Sequence, residues 1–423
     1  MRPLPLMGFR AALIVLCAIV ASSVAPPLGA APSEALPQAS SAAALQHVTV
    51  LSQQIGPRPT GSPADGHTAT YLAEQFQQLG YTVQRQAFPI LFFDETAPPT
   101  VNIVGPQAAA LRALALIYSA ATSSEGLEAE LLDAGLGREE DFRGKRLEGR
   151  IALVQRGQVR FSVKVANAAT AGASAVVVYN NQPGPPQAGT LVEPSQIPAV
   201  MISQDDGERL VQVLRAGTVR VRLNVSTTIE RRMSQNVIGI KRGTRTPNEI
   251  VVVGGHADSV KQSPGANDNA SGTAAVLEAA RLLARIPTAR TIHFIGFGAE
   301  EIGLVGSRFY VQNRTGTIVG MVNMDMVGRG PMQVGNSGGD TSLLDLAERV
   351  ASRLDITVST FRLREAASDH ASFEQAGIPA VFIHTGDDEA IHTPADVLNR
   401  INPQLIAQAA SLAAAIAREL ATR

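Results

Sequence analysis

The sequence holds one cysteine in 423 residues, Cys17. It lies inside an apolar run at residues 11–21 (AALIVLCAIVA), flanked by Arg2 and Arg10. The run is too short to cross a bilayer as an ordinary helix, and small residues follow it. Residues 1–30 therefore read as a signal peptide and leader, cut after Ser23 or near Ala30; a buried helix or tilted anchor is the competing reading. Cys17 has no leucine three residues before it and makes a poor lipoprotein acceptor. Once the signal is removed the mature chain has no cysteine, which excludes disulfides and any catalytic or metal-binding thiolate. Export to a secreted or periplasmic location follows, with no stable membrane span after cleavage. An excess of one charge is also lacking: 36 Lys and Arg against 37 Asp and Glu give a net charge of -1, and no long basic block occurs. Nucleic acid and acidic membrane surfaces are not expected as partners. No long-period repeat is present, so a solenoid is not expected. What remains, 45% hydrophobic and 17% charged residues, is the composition of a folded globular chain of two or three domains.

Two helical patterns open the folded part, at 42–55 and 66–79; in the second, Tyr71, Leu72, Phe76 and Leu79 recur at helical spacing before Gly80. Residues 82–88 alternate like a strand, and 97–100 (Ala-Pro-Pro-Thr) read as a connection. Between 111 and 226 short β-type runs predominate, at 113–118, 150–155, 175–179, 199–202 and 219–225, with one helix at 163–171. This segment contains no histidine, offers little chemistry and reads as an inserted domain. From Ser234 strands at 236–240, 249–253, 291–297, 318–324 and 380–383 alternate with helices at 270–283, 304–312, 342–354 and 403–420. That alternation predicts an α/β fold, a mostly parallel mixed sheet sandwiched by helices. Its first part spans 42–100 and its second 234–423, around an insertion at 111–226.

The chemistry collects at strand ends. The buried run 250–253 (Ile-Val-Val-Val) leads through Gly254-Gly255 to His256 and Asp258, and Asp268 follows at a tight turn. Strand 292–297 is followed by Glu300-Glu301, strand 320–324 by Asp325, and residues 387–391 by His392, with Asp396 four positions on. Ligands of open α/β sheets sit beyond the carboxyl ends of the strands. His256, Asp268, Glu301, Asp325 and His392 are thus candidate metal ligands, and two imidazoles with three carboxylates suit zinc. Five donors are too many for one four-coordinate zinc but fit two if a carboxylate bridges, and Asp268 is the natural bridge. Of Glu300 and Glu301, one can hold metal while its neighbour stays free to transfer protons. Asp258 and Asp396 are placed to accept the second ring N–H of His256 and His392. Singly, an acidic residue at a strand end is usually a cap or a solvated turn. Five in succession are hard to reconcile with that. His47 and His67 are assigned to the surface and His293 to the core, while His370 and His384 are given no direct role.

The stretches GGHADSV, PGANDNASG, GAEEIGLVGS, NMDMVG and IHTPAD, in that order, resemble the co-catalytic dizinc aminopeptidase family that includes bacterial leucyl aminopeptidases and aminopeptidase Y. The resemblance covers Ser234 to the C-terminus and the helices before residue 90. It implies the zinc exopeptidase fold, two zinc ions as cofactors, His256 and Asp325 on one zinc, Glu301 and His392 on the other, and Asp268 between them. It also implies Glu300 as general base and a cis peptide between Asp268 and Asn269. EDFRGKRLEGRIALVQRG, FSVKVANAATAGASAVVVYNN and IPAVMI make the insertion similar to a protease-associated domain, although the cysteine that many such domains carry after Arg-Gly is absent. One departure stands out: where several family members have Tyr before the last histidine, this chain has Ile391, so the oxyanion must be held by zinc or another donor.

The activity implied is zinc-dependent hydrolysis of N-terminal residues from peptides with a free N-terminus. A related carboxypeptidase, with Arg329 or Arg364 as carboxylate anchor, is the nearest alternative. A single-zinc glutaminyl cyclase and a non-catalytic receptor-like relative are the others. Retention of all five donors argues against these last two.

Overall fold

Residues 38–105, 108–187, 189–363 and 367–422 are described in a computed structural model, within one unit, Pro37–Arg423. The expected signal peptide, with Cys17, lies outside the described residues, as does Arg364. Helix α1 (Ser41–Thr49) continues into a wider turn, Val50–Ile55, and α2 (Pro63–Gln78) follows. Ser62 caps α2 by accepting the Asp65 N–H, with Pro63 in the first turn. Strand β1 (Thr82–Val104) then runs for 23 residues, straight through the Pro98-Pro99 pair expected to be a connection. The prolines are tolerated because the pairing register shifts on both sides of Ala97.

The insertion contains β2 (Ala109–Ala115), β3 (Leu127–Asp133), α3 (Glu139–Phe142), β4 (Ile151–Gln155), α4 (Phe161–Thr170), β5 (Ala175–Tyr179), β6 (Ala199–Ile202) and α5 (Gln204–Ala216). Strand β7 (Val219–Lys241) returns alongside β1 over its whole length, Thr82 opposite Ile240 and Val104 opposite Arg220. The pairings β1–β2–β6–β5–β4–β3–β7–β1 close on themselves. Alternate residues of the short strands feed two apolar clusters. Leu153, Val177 and Val200 meet Leu210 of α5, while Val154, Val178 and Met201 meet Val165 and Ala168 of α4. The sequence reading placed one helix here; β3, α3 and α5 are additions to it.

The second half supplies β8 (Thr246–His256), α6 (Gly272–Leu283), β9 (Arg290–Phe297), α7 (Val305–Gln312), β10 (Thr317–Met324), β11 (Gln333–Asn336), α8 (Ser342–Arg353), β12 (Ser359–Arg362), α9 (His370–Gln375), β13 (Ala380–His384) and α10 (Pro403–Thr422). The sheet continues β7–β9–β8–β10–β13–β11–β12. Its centre, β9–β8–β10–β13, is parallel, while β7 and β11 join antiparallel. Alternation puts Ile250, Val252, Ile295 and Phe297 against Tyr310 of α7 and Phe373 of α9. Helices α1, α6, α8 and α10 form the other layer. Helix α10 is long and apolar enough to cross a membrane by composition, yet Ile406, Ala410, Ala413, Ile416 and Ala417 are buried in this layer. Strand β8 extends past the expected 253 because Gly254 and Gly255 let it approach its neighbours. A Cβ on Gly255 would lie 2.3 Å from the Met324 carbonyl oxygen of β10, and one on Gly254 would lie 2.5 Å from the Phe297 ring.

Candidate metal centre

The parallel strands end side by side, with His256 opposite Phe297 and Asn323 opposite Gly254. The residues just beyond those ends share one crevice. Strand β9 delivers Glu300 and Glu301, and β10 delivers Asp325. The turn before α6 carries Asp268, and the loop after β13 carries His392. His256 and Asp325 are buried, whereas the His392 side chain is half exposed.

Asp268 lies at the middle of the group. Its Oδ1 is 3.1 Å from His256 Nε2, which is also 3.3 Å from Asp325 Oδ1. Its Oδ2 is 3.1 Å from His392 Nε2, which is also 3.1 Å from Glu301 Oε2. Each imidazole thus stands between two carboxylates, one of them shared. Glu301 Oε1 and Asp325 Oδ1 are buried without a hydrogen-bond partner, so these side chains are not satisfied by one another. Ligand atoms of His256, Asp268 and Glu301 lie within 4.8 Å of one another, close enough to surround a metal ion. A donor set of nitrogen and carboxylate oxygen with unsatisfied buried oxygens fits zinc.

The electrostatics agree. Burial would lift the Asp268 carboxyl, yet the two imidazoles facing it hold it below its usual range. Burial and the charge of Asp268 push Glu301 up to about 7, and burial pushes Glu300 well above its ordinary value, with Glu301 and Asp369 adding to the rise. Asp268 and Glu301 raise His392 to about 10, and Asp325 and Glu300 hold His256 well above 6.5 against its burial. The cluster carries more negative charge than its own groups neutralise, as a cation site requires.

The two supporting aspartates do something other than the spacing suggested. The His256 Nδ1 partner is the Asp258 backbone carbonyl at 3.1 Å, whereas the Asp258 carboxylate is 3.7 Å away. That carboxylate instead accepts the backbone N–H groups of Glu300 at 3.2 Å and Glu301 at 3.3 Å and the Thr60 hydroxyl at 2.7 Å. Asp396 does not serve His392; its oxygens accept the N–H groups of Asn267 at 2.7 Å and Asp268 at 3.0 Å. In both cases the orphaned N–H groups of a tight loop compete successfully for the carboxylate.

Several supporting residues carry no signal in the motif spacing. The Asp268–Asn269 peptide is cis, as the resemblance implies. Asn269 donates to the Met324 carbonyl at 3.0 Å and accepts the Gly272 N–H at 2.8 Å. Buried Asp388 accepts from Arg400 at 2.9 Å and Asn267 at 3.2 Å, tying the His392 loop to the Asp268 turn. Arg58 and Thr60 reach the centre from the first part of the chain. His384 Nδ1–H donates to the Asp325 backbone carbonyl at 2.8 Å. His370 is buried, stacked on Phe382 at 4.8 Å, with Nε2 2.9 Å from Ser337 Oγ. His47 pairs with Tyr71 at 2.6 Å and is not a plain surface residue, and His293 pairs with Tyr310 at 2.7 Å beside the core. Ile391 lies exposed next to His392.

Residues 236–417 match peptidase family M28, and residues 113–210 match the PA domain. Aminopeptidase YwaD of Bacillus subtilis (strain 168) is 35% identical over 393 residues, 88% of this chain and 83% of that protein. An aminopeptidase of Pseudomonas aeruginosa (strain UCBPP-PA14) is 31% identical over 80% of this chain and 68% of its own length. The solved structure of an aminopeptidase from Aneurinibacillus sp. strain AM-1 superposes with a TM-score of 0.82 at 33% identity, over 91% of this chain and 95% of that one. BSAP, a zinc aminopeptidase from Bacillus subtilis, gives 0.76 at 32% identity over 92% and 97%. The chain belongs to peptidase family M28 and carries an inserted PA domain.

Proposed function

We propose that the chain is an exported dizinc aminopeptidase that removes N-terminal residues from peptides. The observation that carries this reading is the disposition of Asp268, one oxygen toward His256 and Asp325 and the other toward His392 and Glu301. In this reading His256 and Asp325 would hold one zinc ion and His392 and Glu301 the other, with Asp268 shared between them. When bound, the zinc ions supply Lewis acidity to water and to the peptide carbonyl. Glu300, whose carboxylate has no hydrogen-bond partner among the described residues, takes a proton from the attacking water and returns it to the leaving amine. A free α-amino group would sit against the acidic groups and metal of the crevice, which favours cleavage at the N-terminal bond. The apolar run behind Arg2 and Arg10 supports export.

The carboxypeptidase reading loses its described anchor, because Arg329 is committed to Glu389 at 3.0 Å and Asp388 at 3.4 Å. The test is the zinc content of purified mature protein together with release of p-nitroaniline from aminoacyl substrates. The expected result is about two zinc ions per chain and chelator-sensitive release from free but not N-blocked substrates. Zinc without release from any free substrate would point to another exopeptidase specificity. Failure to bind zinc would end the mechanism.

A further inference from the structure

The segment Arg58-Pro59-Thr60 belongs to the turn between α1 and α2, far from the centre in sequence and in contact with it in space. Arg58 is 0% exposed, and its guanidinium donates to three backbone carbonyls: Nε to Ala257 at 2.7 Å, Nη1 to Pro264 at 2.7 Å and Nη2 to Gly265 at 2.9 Å. Its own backbone is tied to Ser259, the Arg58 N–H donating to Ser259 Oγ at 3.2 Å and the Ser259 N–H donating to the Arg58 carbonyl at 3.4 Å. Residues 257 and 259 are therefore both held by Arg58. Between them lies Asp258, and its Oδ2 accepts the Thr60 hydroxyl at 2.7 Å.

Asp258 is a distribution point. Its carbonyl takes the His256 ring nitrogen, and its carboxylate takes the N–H groups of Glu300 and Glu301. Rotation of this one residue would turn an imidazole and displace two adjacent glutamates together. No carboxylate lies within ion-pair distance of Arg58 among the described residues, and a buried guanidinium in that position is costly unless its N–H groups are satisfied and the surrounding field is negative. Three carbonyls satisfy it, and Asp258, Asp268, Asp396 and Glu301 supply the field. The loop leaves no slack: a Cβ on Gly265, at φ +60°, would sit 2.4 Å from the Asp268 carbonyl oxygen and 3.1 Å from Arg58 Nη2.

We propose that Arg58 and Thr60 are positioning residues for the metal centre, locking Asp258 so that it orients His256 and the backbone of Glu300 and Glu301. The inference rests on the dizinc reading. Partners behind metal ligands typically change metal affinity by ~10- to 100-fold when removed. Loss of the Thr60 hydroxyl leaves Asp258 Oδ2 with the longer Glu301 contact alone. Metal should bind more weakly and Glu300 should be misaimed, lowering kcat more than it changes KM.

The experiment compares full-chain wild type with T60V, T60S and R58K. It measures zinc affinity of the metal-free proteins by competition with a chromophoric chelator, their thermal unfolding without metal, and kcat and KM. T60V is expected to unfold close to the wild-type temperature yet bind zinc ~10-fold more weakly or worse, and T60S to restore affinity because it returns the hydroxyl. R58K keeps the charge but not the planar fork, and should share the weakening. Wild-type zinc affinity in T60V, or no recovery in T60S, would overturn the proposal. A wild type that binds no zinc would instead overturn the dizinc reading, and this inference with it.

Discussion

Replacing Glu300 by Gln tests the proton-transfer role with little disturbance of structure. The backbone there is held independently of the side chain: its N–H lies on Asp258 Oδ1 at 3.2 Å, and its carbonyl accepts from Gly303 at 2.8 Å and Leu304 at 2.9 Å. The carboxylate has no hydrogen-bond partner among the described residues, so an isosteric amide displaces nothing. The proposed metal donors are untouched, and zinc content should stay at the wild-type level. What disappears is a group able to accept a proton. A positioned base contributes ~100- to 10,000-fold, or about 2.7–5.4 kcal/mol of barrier. Burial disfavours a charged Glu300 most, His256 opposes that, and Glu301, Asp369 and Asp325 add to it. A neutral amide carries none of that burial cost, so the metal-free variant should melt close to the wild-type temperature. The assay is kcat and KM on an aminoacyl p-nitroanilide, with zinc content and metal-free melting measured on the same preparation. A kcat reduced at least ~100-fold with full zinc would meet the expectation. Retention of more than a tenth of wild-type kcat with full zinc would refute the base assignment, and loss of zinc would mark Glu300 as a ligand.

Asp268→Asn replaces a carboxylate that faces both imidazoles with a side chain offering one carbonyl oxygen, so zinc content after dialysis should fall to one per chain or less; full retention would exclude the bridging role. His293 gives a pH prediction away from the centre. Burial lowers its imidazole to about 4, below the unfolded value of 6.5, so the stability it allows is present above pH 6.5 and lost as pH falls toward 4. The slope is at most ~1.4 kcal/mol per pH unit, and H293Q should flatten melting temperature against pH across that window; an unchanged slope would show that His293 does not titrate there.

What the sequence made legible was set by distance along the chain. Candidate donors at successive strand ends can be read from hydrophobic runs and the polar residues that follow them, because β8, β9, β10 and β13 are parallel and end together. Arg58 and Thr60 could not be read this way. They approach from roughly two hundred residues away, and nothing local distinguishes them from a turn. Asp258 and Asp396 were identified, but their partners were not: spacing cannot tell a ring N–H from a backbone N–H. Helix α5 was missed although a cue was present. Ser203 caps it by accepting the Asp206 N–H, but its buried face narrows to Gly207 and Leu210 and leaves little apolar periodicity to read. The strand expected at 82–88 runs on to Val104, through the 97–100 stretch read as a connection, because a sequence does not show where a register shift will absorb prolines.

The long ribbon of β1 and β7 bears on how such a chain assembles. Thr60 and Asp258 are 198 residues apart, and closing a flexible loop of that length costs about 4.7 kcal/mol in the length-dependent part of the entropy. When the ribbon zips, Thr82 meets Ile240, and the free chain between the two partners shrinks to roughly forty residues, a cost of about 3.3 kcal/mol. The difference is close to a factor of ten in the chance of the encounter. Seen this way the inserted domain is an internal splint: by returning the chain to where it left, it brings the N-terminal turn within reach of the loop it must clasp.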